Sequence, residues 1–240
     1  MKKFMVVLLI TVFCLSATQA FGQFARKNQV EVFAGASFPM SPDEFKDFYK
    51  MGLSLNAQYV IFVSPRIGIP IFAGYERFTV DNDAISDMYK DELVGMAFYD
   101  GNGNYWEVTD ASVDTKGSAS AFKFGAGIRP YLTPPEASTQ IFLFGRASYN
   151  LLKVKQEFDG AEVTVEDMFG NQDMINISPS DLGGEADFSS DENKFGVGFG
   201  AGLEIPAGES FNMIFQGMYN IIFTDEDNTS FIGVTAGIVF

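Results

Sequence analysis

The sequence predicts an all-β protein that folds as an eight-stranded antiparallel up-and-down transmembrane β-barrel. Three observations carry this prediction. Apolar and polar residues alternate with period two in many short segments, the connections between these segments alternate between short and long, and the carboxylates concentrate in the long connections. Period-two alternation is the pattern of a strand with one apolar face, and antiparallel hairpins in a membrane produce the other two patterns.

The first 22 residues have the pattern of a secretory signal peptide. Lys2 and Lys3 precede an apolar run over residues 4–15, and small residues follow where a signal peptidase could cut. The run is shorter than the roughly 20 apolar residues of a membrane-spanning helix. The only cysteine, Cys14, lies inside it, so the mature chain is expected to have no disulfide and no thiolate metal ligand. Residues 23–240 are expected to form the barrel.

Eight segments carry the alternation in the mature chain. In one of them, Phe195, Val197 and Phe199 alternate with glycines. An even number of strands suits a closed up-and-down barrel of the bacterial kind. The predicted strands are 30–38, 52–63, 67–76, 122–129, 141–151, 195–205, 211–223 and 230–240.

The connections between these strands fall into two groups that alternate along the chain. On one side they are short and rich in Pro, Gly or Ser, and on the other side three of the four are long. The short ones are 64–66, 133–139 and 206–210, and those of the other side are 38–51, 81–117, 157–193 and 224–229. Transmembrane barrels keep periplasmic turns short and let extracellular loops grow. The ranges 81–117 and 157–193 are therefore expected to be extracellular loops, with a short helix over residues 84–94 capped by Asp83.

The formal net charge of −15 is concentrated at one end of the predicted barrel. Of the 31 carboxylates, 26 lie in the four connections of the long side. A hydrocarbon belt that excludes charge from the strands would produce this distribution. The long loops are therefore expected to be acidic, and nucleic acid is not expected as a partner because its phosphates would be repelled.

The polar faces of the strands indicate which way the apolar faces point. A soluble barrel would turn its apolar face inward and carry roughly a quarter to a third charged residues outside. Here the polar faces consist mostly of Gly, Ser and Asn. We therefore expect apolar residues to face lipid, and small and polar residues to face a narrow lumen.

The isolated charges on the polar faces are predicted to form a lumenal polar network. We expect Arg129 and Arg146 to pair with Glu76 or Glu204, because an unpaired charge in a dry interior is costly. The predicted members of the network are Glu76, Lys123, Arg129, Arg146 and Glu204. Glycines of the sixth strand are expected to make room for Phe142, Phe144 and Arg146 of the fifth, so that the lumen is packed and has no open pore.

The end of the sequence adds a targeting signal. Apolar residues alternate there up to Ile238 and Phe240, and the sequence ends on the aromatic residue. These two residues look like the terminal signal that the outer-membrane assembly machinery recognises. With these features the mature chain resembles the outer-membrane β-barrel domain family, in particular its small eight-stranded members related to the OmpA transmembrane domain, OmpX and OmpW. The resemblance implies the bacterial outer membrane, with lipid, lipopolysaccharide and the assembly machinery as partners.

Residues that could carry chemistry are few. The chain has no histidine, which excludes Ser-His-Asp triads and His-ligated zinc sites. No pair of carboxylates stands out, so neither an enzymatic activity nor a cofactor is expected. Asp100, Asn102 and Asn104 have the spacing that begins a calcium loop, but Tyr105 replaces its glycine and Ala111 its bidentate glutamate. A loop-bound divalent cation stays an alternative to a solvated acidic loop, and no metal ligand is assigned.

The sequence thus favours a structural and interaction protein, a membrane-embedded scaffold that presents acidic outer loops to the environment, to lipopolysaccharide or to another protein. The alternative, which the likeness to OmpW implies, is a narrow porin-like channel or a binder for a small solute, hydrophobic solutes included. Conductance across a planar bilayer separates the two.

Overall fold

The architecture follows from a computed structural model, which describes residues 26–179, 188–208, 210–225 and 227–240. The predicted signal peptide of residues 1–22 lies outside the described residues. The strands are β1 Gln29–Ser41, β2 Gly52–Ser64, β3 Ile67–Thr79, β4 Ala97–Tyr99, β5 Tyr105–Pro130, β6 Gln140–Asp167, β7 Gln172–Ile177, β8 Phe188–Pro206, β9 Asn212–Ile222 and β10 Thr229–Val239. The helices are α1 Asp43–Phe48 and α2 Asn82–Leu93. No helix among these residues is long and apolar enough to cross a membrane.

Eight of the described strands close into one barrel, which confirms the predicted fold class. Barrel strands that follow one another in the chain pair antiparallel, and β1 pairs with β10 to complete the ring. The short strands β4 and β7 lie outside the ring and pair only with β5 and β6. The turns that join β2 to β3, β5 to β6 and β8 to β9 are short and define what we call the short-turn end. The opposite end is the long-loop end.

The apolar faces of the strands point away from the lumen, as predicted. Along β2, Leu53 is 51% exposed, whereas its neighbour Ser54 is 1% exposed and Gln58 6%. Phe199 on β8 is 56% exposed. A closed barrel with an apolar exterior satisfies its backbone hydrogen bonds internally and suits a hydrocarbon solvent. The exterior of the barrel is therefore a lipid-facing belt.

Glycines of β8 make room for large side chains of β6, as the sequence predicts. Phe142, Phe144 and Arg146 pair in register with Gly202, Gly200 and Gly198. A Cβ added to Gly200 would stand 2.7 Å from the Phe144 ring, and one on Gly202 would overlap the Phe142 ring. The two phenylalanines are 5% and 0% exposed inside the barrel. Strand β8 therefore supplies the space that strand β6 fills.

The long-loop end carries a sheet that the sequence does not predict. The pairing of β5 with β3 ends at Ser118, but β5 continues back to Tyr105 while pairing with β6. We call β4, residues 105–117, residues 156–167 and β7 together the distal sheet. Its thirteen β5 residues extend about 40 Å, at about 3.3 Å per residue. Much of the ranges 81–117 and 157–193 is thus strand, which the sequence does not predict, and their position as acidic extracellular connections stays a prediction.

Two helices pack at the long-loop end. Helix α2 lies on the distal sheet, where the Ser86 hydroxyl donates to the carbonyl of Val113 at 2.7 Å and accepts from its N–H at 3.0 Å. Its N-cap is Asp81, which accepts from the N–H of Ala84, and not the predicted Asp83. Helix α1 places Phe45 against Phe78 in the barrel mouth, with ring centroids 4.9 Å apart. Helix α1 therefore covers part of the long-loop end of the lumen, and α2 lies outside it on the distal sheet.

Two tips of the distal sheet share one turn of the pattern Asp-x-x-Gly-Asn. In the first, Asp100 Oδ1 accepts from the N–H groups of Asn102 and Asn104 at 2.8 and 2.9 Å. In the second, Asp167 Oδ1 accepts from the N–H groups of Phe169 and Asn171 at 2.7 and 2.8 Å. The fourth residue of each turn has a φ above +80° and is glycine, because only glycine adopts this conformation without steric cost.

Both turns are expected to open at low pH. Hydrogen bonds from the Asn104 and Asn171 side chains, and then from their N–H groups, hold the pKa of Asp100 and Asp167 below the ordinary 3.8. A carboxyl group with a depressed folded-state pKa stabilises the fold above its ordinary pKa, and this contribution is lost as the pH falls through the depressed value. Asp100→Ala is expected to remove the amide-exchange protection of Asn102 and Asn104 at neutral pH. The exposed Asp91→Ala is the control, and unchanged protection in Asp100→Ala would contradict the assignment.

Candidate functional site

The first group of lumenal charges lies on β1, β2 and β5. Both guanidinium Nη atoms of Arg129 donate to the Glu31 carboxylate, at 2.6 and 3.0 Å. The Gln58 amide also donates to Glu31, and the guanidinium lies over the Phe142 ring at 4.3 Å. Arg129 and Glu31 are 1% and 0% exposed. This is a desolvated bidentate pair, the strongest geometry available to two such groups.

A second group lies closer to the long-loop end. The ammonium of Lys123 donates to Glu76 Oε1 at 2.5 Å, and the hydroxyls of Ser37 and Ser54 donate to the same carboxylate at 2.6 and 2.9 Å. Its four members come from β1, β2, β3 and β5. The hydrogen bonds to Glu76 therefore connect four strands across the lumen.

The third group closes the short-turn end. Arg26, which precedes β1, donates to Glu204 Oε2 at 2.7 Å, and the Asn212 amide donates to Oε1 at 2.6 Å. The guanidinium of Arg26 also lies over the rings of Phe62 and Tyr131, at 4.8 and 4.4 Å. Outside this group is a cleft of about 350 Å³ that Arg26 and Glu204 help to line. The side chains of this third group thus fill the lumen at the short-turn end.

Arg146 differs from the other lumenal cations. It is 8% exposed and lies over the rings of Phe72 and Phe144, with its guanidinium carbon 4.8 and 4.6 Å from the ring centroids. Within the described residues no carboxylate lies within salt-bridge distance of it. Both aromatic rings attract the cation without neutralising it.

The structure buries all five residues of the predicted polar network but pairs them differently. The prediction that Arg129 and Arg146 contact Glu76 or Glu204 is wrong. Arg129 forms an ion pair with Glu31, Lys123 with Glu76, and Arg26 with Glu204. Sequence reasoning missed Glu31 and Arg26. Glu31 was detectable, since it is a lone carboxylate on the polar face of the first predicted strand. Whether the network has a function beyond packing stays a prediction.

The predicted assembly signal lies on the barrel exterior. Ile238 is 42% and Phe240 66% exposed. The N–H and carbonyl groups of Phe240 exchange hydrogen bonds with Val30, at 2.9 and 3.2 Å. Both side chains are thus placed on the lipid-facing side, and their recognition by assembly machinery stays a prediction.

The distal sheet is acidic and has apolar tips. Its strands contain nine carboxylates and one basic residue, Lys116, which lies where the sheet joins the barrel. Glu107 and Glu166 stand directly opposite each other across β5 and β6, an arrangement of like charges that disfavours strand pairing. Phe169 and Tyr99 at the two tips are 82% and 72% exposed. The sheet therefore presents aromatic side chains in a field of negative charge.

Basic residues meet this sheet only where it joins the rest of the molecule, within the part of the chain that the structure describes. Lys90 at the end of α2 lies 2.7 Å from Asp110. This hydrogen-bonded ion pair raises the pKa of Lys90 and lowers the pKa of Asp110. Lys116, at the barrel boundary, pairs with Asp159 and has a raised pKa for the same reason. Among the described residues, the carboxylates nearer the tips form no ion pair with Lys or Arg.

An apolar cleft lies between the two helices and the distal sheet. Its volume is about 690 Å³, and its lining includes Phe48, Met88, Val113 and Phe158. This volume is within the usual range for small-molecule sites, roughly 300–1,000 Å³. The acidic surface therefore lies beside an apolar cleft of this size.

The residues with calcium-loop spacing form hydrogen bonds within the turn at residues 100–104. Both carboxylate oxygens of Asp100 accept hydrogen bonds there, from the Asn102 N–H and from the Asn104 side chain. Among the described residues, no group of three or more acidic or thiol side chains is arranged to hold a metal ion. A divalent cation at the loops therefore stays a hypothesis without a defined ligand set.

Comparison with known proteins shows likeness of fold. No family model and no curated protein matches the sequence. Among solved structures, the chain is similar to Ail, the attachment invasion locus protein of Yersinia pestis, in complex with the heparin analogue sucrose octasulfate, at 14% identity and a TM-score of 0.44, covering 90% of this chain and all of Ail. It is similar to Neisserial surface protein A at 14% identity and a TM-score of 0.46, covering 90% and 98% of the two chains. A major outer membrane protein of Thermus thermophilus matches at 9% identity and a TM-score of 0.46, covering 90% and 99%.

The architecture itself identifies the class of protein. The barrel is closed, its exterior is apolar, and its interior holds paired charges and amides that a soluble barrel would place in water. Among β-structures only a closed barrel satisfies its backbone within lipid. The chain has the architecture of a bacterial outer-membrane β-barrel protein with eight strands.

Proposed function

We propose that this protein is a closed outer-membrane scaffold that presents the distal sheet to a positively charged macromolecular partner outside the cell. The observation that carries the proposal is the excess of negative charge in the distal sheet, whose strands hold nine carboxylates against one basic residue, Lys116. In this proposal the long-loop end faces outward and the short-turn end faces the periplasm. The role is one of interaction and not of catalysis.

The electrostatics of the distal sheet support a basic partner. Carboxylates that oppose each other, such as Glu107 and Glu166, repel, and a bound cationic side chain relieves that repulsion. Complementary charge raises the association rate and selects partners by sign. The exposed rings of Phe169 and Tyr99 supply apolar contact at the tips, where aromatic residues commonly anchor interfaces.

The binding experiment uses the full-length protein in lipid nanodiscs, a lysine-rich peptide as the probe, low salt and EDTA. A variant with Glu107→Gln, Glu162→Gln, Glu166→Gln and Asp173→Asn is expected to bind at least about tenfold more weakly. The matched control neutralises three carboxylates of α1, with Asp43→Asn, Glu44→Gln and Asp47→Asn, and is expected to bind like the wild type. Equal loss in both variants, or no binding by the wild type, would refute a specific role of the distal sheet. Binding that requires calcium and lipopolysaccharide would replace the basic partner by a cation-bridged lipid.

The closed lumen is tested by conductance. The side chains of Phe33, Arg129, Phe142 and Phe231 are fully buried inside the barrel. Wild-type protein in planar bilayers is therefore expected to show no steady conductance. Steady channels that vanish when Arg129 and Arg146 are altered would instead favour the transport alternative.

A further inference from the structure

The outward-facing basic residues of the strands gather on one side of the barrel. Among the strand residues that the structure describes, four Lys or Arg side chains point away from the lumen, and all lie on the neighbouring strands β3, β5 and β6 towards the long-loop end. They are Arg77, Lys116, Lys153 and Lys155. Cations that only contact headgroups around a barrel would be spread over all its strands. The one-sided arrangement therefore indicates a local site.

The register of the three strands places these cations directly beside the apolar belt. One outward row across β3, β5 and β6 is apolar and consists of Tyr75, Phe122 and Leu151. The next two rows towards the long-loop end are polar and consist of Arg77, Ser120 and Lys153, and then of Thr79, Ser118 and Lys155. Successive outward rows are about 7 Å apart. The surface thus changes from apolar to basic within one row, as at the level of lipid headgroups.

The basic side chains flank a trough whose floor is strand β5. The outward residues of the floor are the small Ser118 and Ser120, whereas β3 and β6 carry Arg77 and Lys155. A cleft of about 380 Å³ lies here, and its lining includes Arg77, Ser118 and Lys155. Strands β3 and β6 are two strand spacings apart, about 10 Å. Both long side chains can therefore reach a group that lies above the serines.

Two of the cations are available to a ligand. Lys116 and Lys153 pair with Asp159 and Asp191, whereas Arg77 and Lys155 form no ion pair among the described residues. Glu157 is the single carboxylate of the lining. Two cations and a hydroxyl against one carboxylate favour an anion, and phosphate oxygens match the planar donors of a guanidinium.

We propose that this cleft binds the phosphate monoester of an acylated lipid of the outer leaflet. Arg77 and Lys155 contact the phosphate oxygens, the Ser118 hydroxyl donates to one of them, and the acyl chains lie along the apolar row that contains Phe122. A phosphate monoester carries nearly two negative charges, which matches the two available cations. Free phosphate would leave the apolar row without a partner. The site rests on the proposed function only for the outward orientation of the long-loop end and is independent of the basic partner.

Native mass spectrometry of the full-length protein counts the lipids that stay bound. The protein is released from phosphatidylcholine nanodiscs that contain diphosphorylated lipid A as the probe, in EDTA, and the wild type is expected to retain one lipid A. Arg77→Gln/Lys155→Gln is expected to weaken retention at least about tenfold. Ser118→Phe, which fills the trough and keeps every charge, is expected to do the same. The matched control Lys27→Gln/Arg66→Gln removes one Lys and one Arg exposed at the short-turn end and is expected to bind like the wild type.

Several outcomes would overturn the proposal. They are equal retention by the wild type and Arg77→Gln/Lys155→Gln, equal loss in the matched control, wild-type retention by Ser118→Phe, and no retention by the wild type in EDTA. Equal retention of dephosphorylated lipid A would remove the phosphate, and complete displacement by millimolar inorganic phosphate would assign the cleft to the free anion.

Heat modifiability on gels verifies that each variant is folded, since the substituted side chains lie on the exterior. Arg77→Gln/Lys155→Gln is also expected to bind the lysine-rich peptide at least as tightly as the wild type, because it removes only positive charge. Loss of lipid retention with intact peptide binding thus supports the lipid site. Unchanged lipid retention with intact peptide binding would refute the lipid site and leave the proposed function standing.

Discussion

Gly202→Val is expected to destabilise the barrel by about 2–3 kcal/mol, because the new side chain must displace a fully buried ring. A Cβ at this position would overlap Phe142 and would stand 2.7 Å from the carbonyl oxygen of Phe215. Phe142 is 0% exposed and packs against Arg129 and Tyr131. It therefore cannot move without disturbing the Arg129–Glu31 pair. The free energy of unfolding in urea, measured in detergent micelles or bilayers, gives the effect.

The control for this change is Gly217→Val on the neighbouring strand β9. A Cβ at Gly217 meets nothing within 4 Å, because this glycine is on the lipid-facing side. The same substitution is expected to be neutral or slightly stabilising there, since valine favours strands and lipid. Equal destabilisation by both substitutions would show that the lumen is not packed as described.

Glu31→Gln is expected to produce the largest loss of stability, about 3–5 kcal/mol, because it leaves the Arg129 guanidinium buried without its counter-charge. The pair is desolvated on both sides, so solvent cannot replace the carboxylate. The same unfolding measurement reports the loss.

The double variant Glu31→Gln/Arg129→Met separates the charge from the packing. If the loss arises from an unpaired charge, removal of the arginine is expected to restore most of the stability. The exposed pair Lys153–Asp191 is the matched control, with nitrogen and oxygen 3.3 Å apart, and Asp191→Asn is expected to have little effect. Additive losses in the double variant would contradict the assigned pair.

Sequence reasoning predicts the barrel because its physical basis is local. The alternation of apolar and polar residues is visible in as few as three consecutive positions, such as Leu53, Ser54 and Leu55. The low number of charged residues on the polar face then indicates that this face lines a lumen and does not contact bulk water. The same local rule predicts that β8 glycines accommodate β6 rings, since both lie on lumenal faces. These features need no knowledge of distant contacts.

The ion-pair partners could not be predicted because they depend on register and strand tilt. Glu31 and Arg129 are 98 positions apart in the chain, and they meet only when the tilt of the closed barrel brings β1 and β5 to the same level. A two-residue change of register would keep the same side chains in the lumen but would bring different charges to the same level. The sequence therefore indicates which charges are lumenal but not how they pair.

The sequence does not predict the distal sheet because the alternation of apolar and polar residues is interrupted there. Strand β5 changes register with β6 between Val108 and Asp110 and again between Asp114 and Thr115. The first irregularity inserts Thr109 in β5 and the second inserts Asp159 in β6, and each shifts the alternation of its own strand by one position. The period-two pattern over residues 105–117 is therefore broken, although the residues are in a strand. An acidic segment with a broken period is typical of a loop, and the strand appears only when its partner is known.

Accessibility of spin labels to lipid-soluble oxygen is the most direct test of the central claim, that apolar faces contact lipid and polar faces line the lumen. Labels are placed at single cysteines in a Cys14→Ser background, at outward-facing Ile71→Cys and Phe199→Cys and at lumenal Thr235→Cys, which replace side chains that are 51%, 56% and 4% exposed. In bilayers the two outward labels are predicted to relax strongly with oxygen and weakly with a water-soluble nickel complex, while the lumenal label responds little to either. Outward labels shielded from oxygen, with the label at position 235 open to the nickel complex, would contradict it.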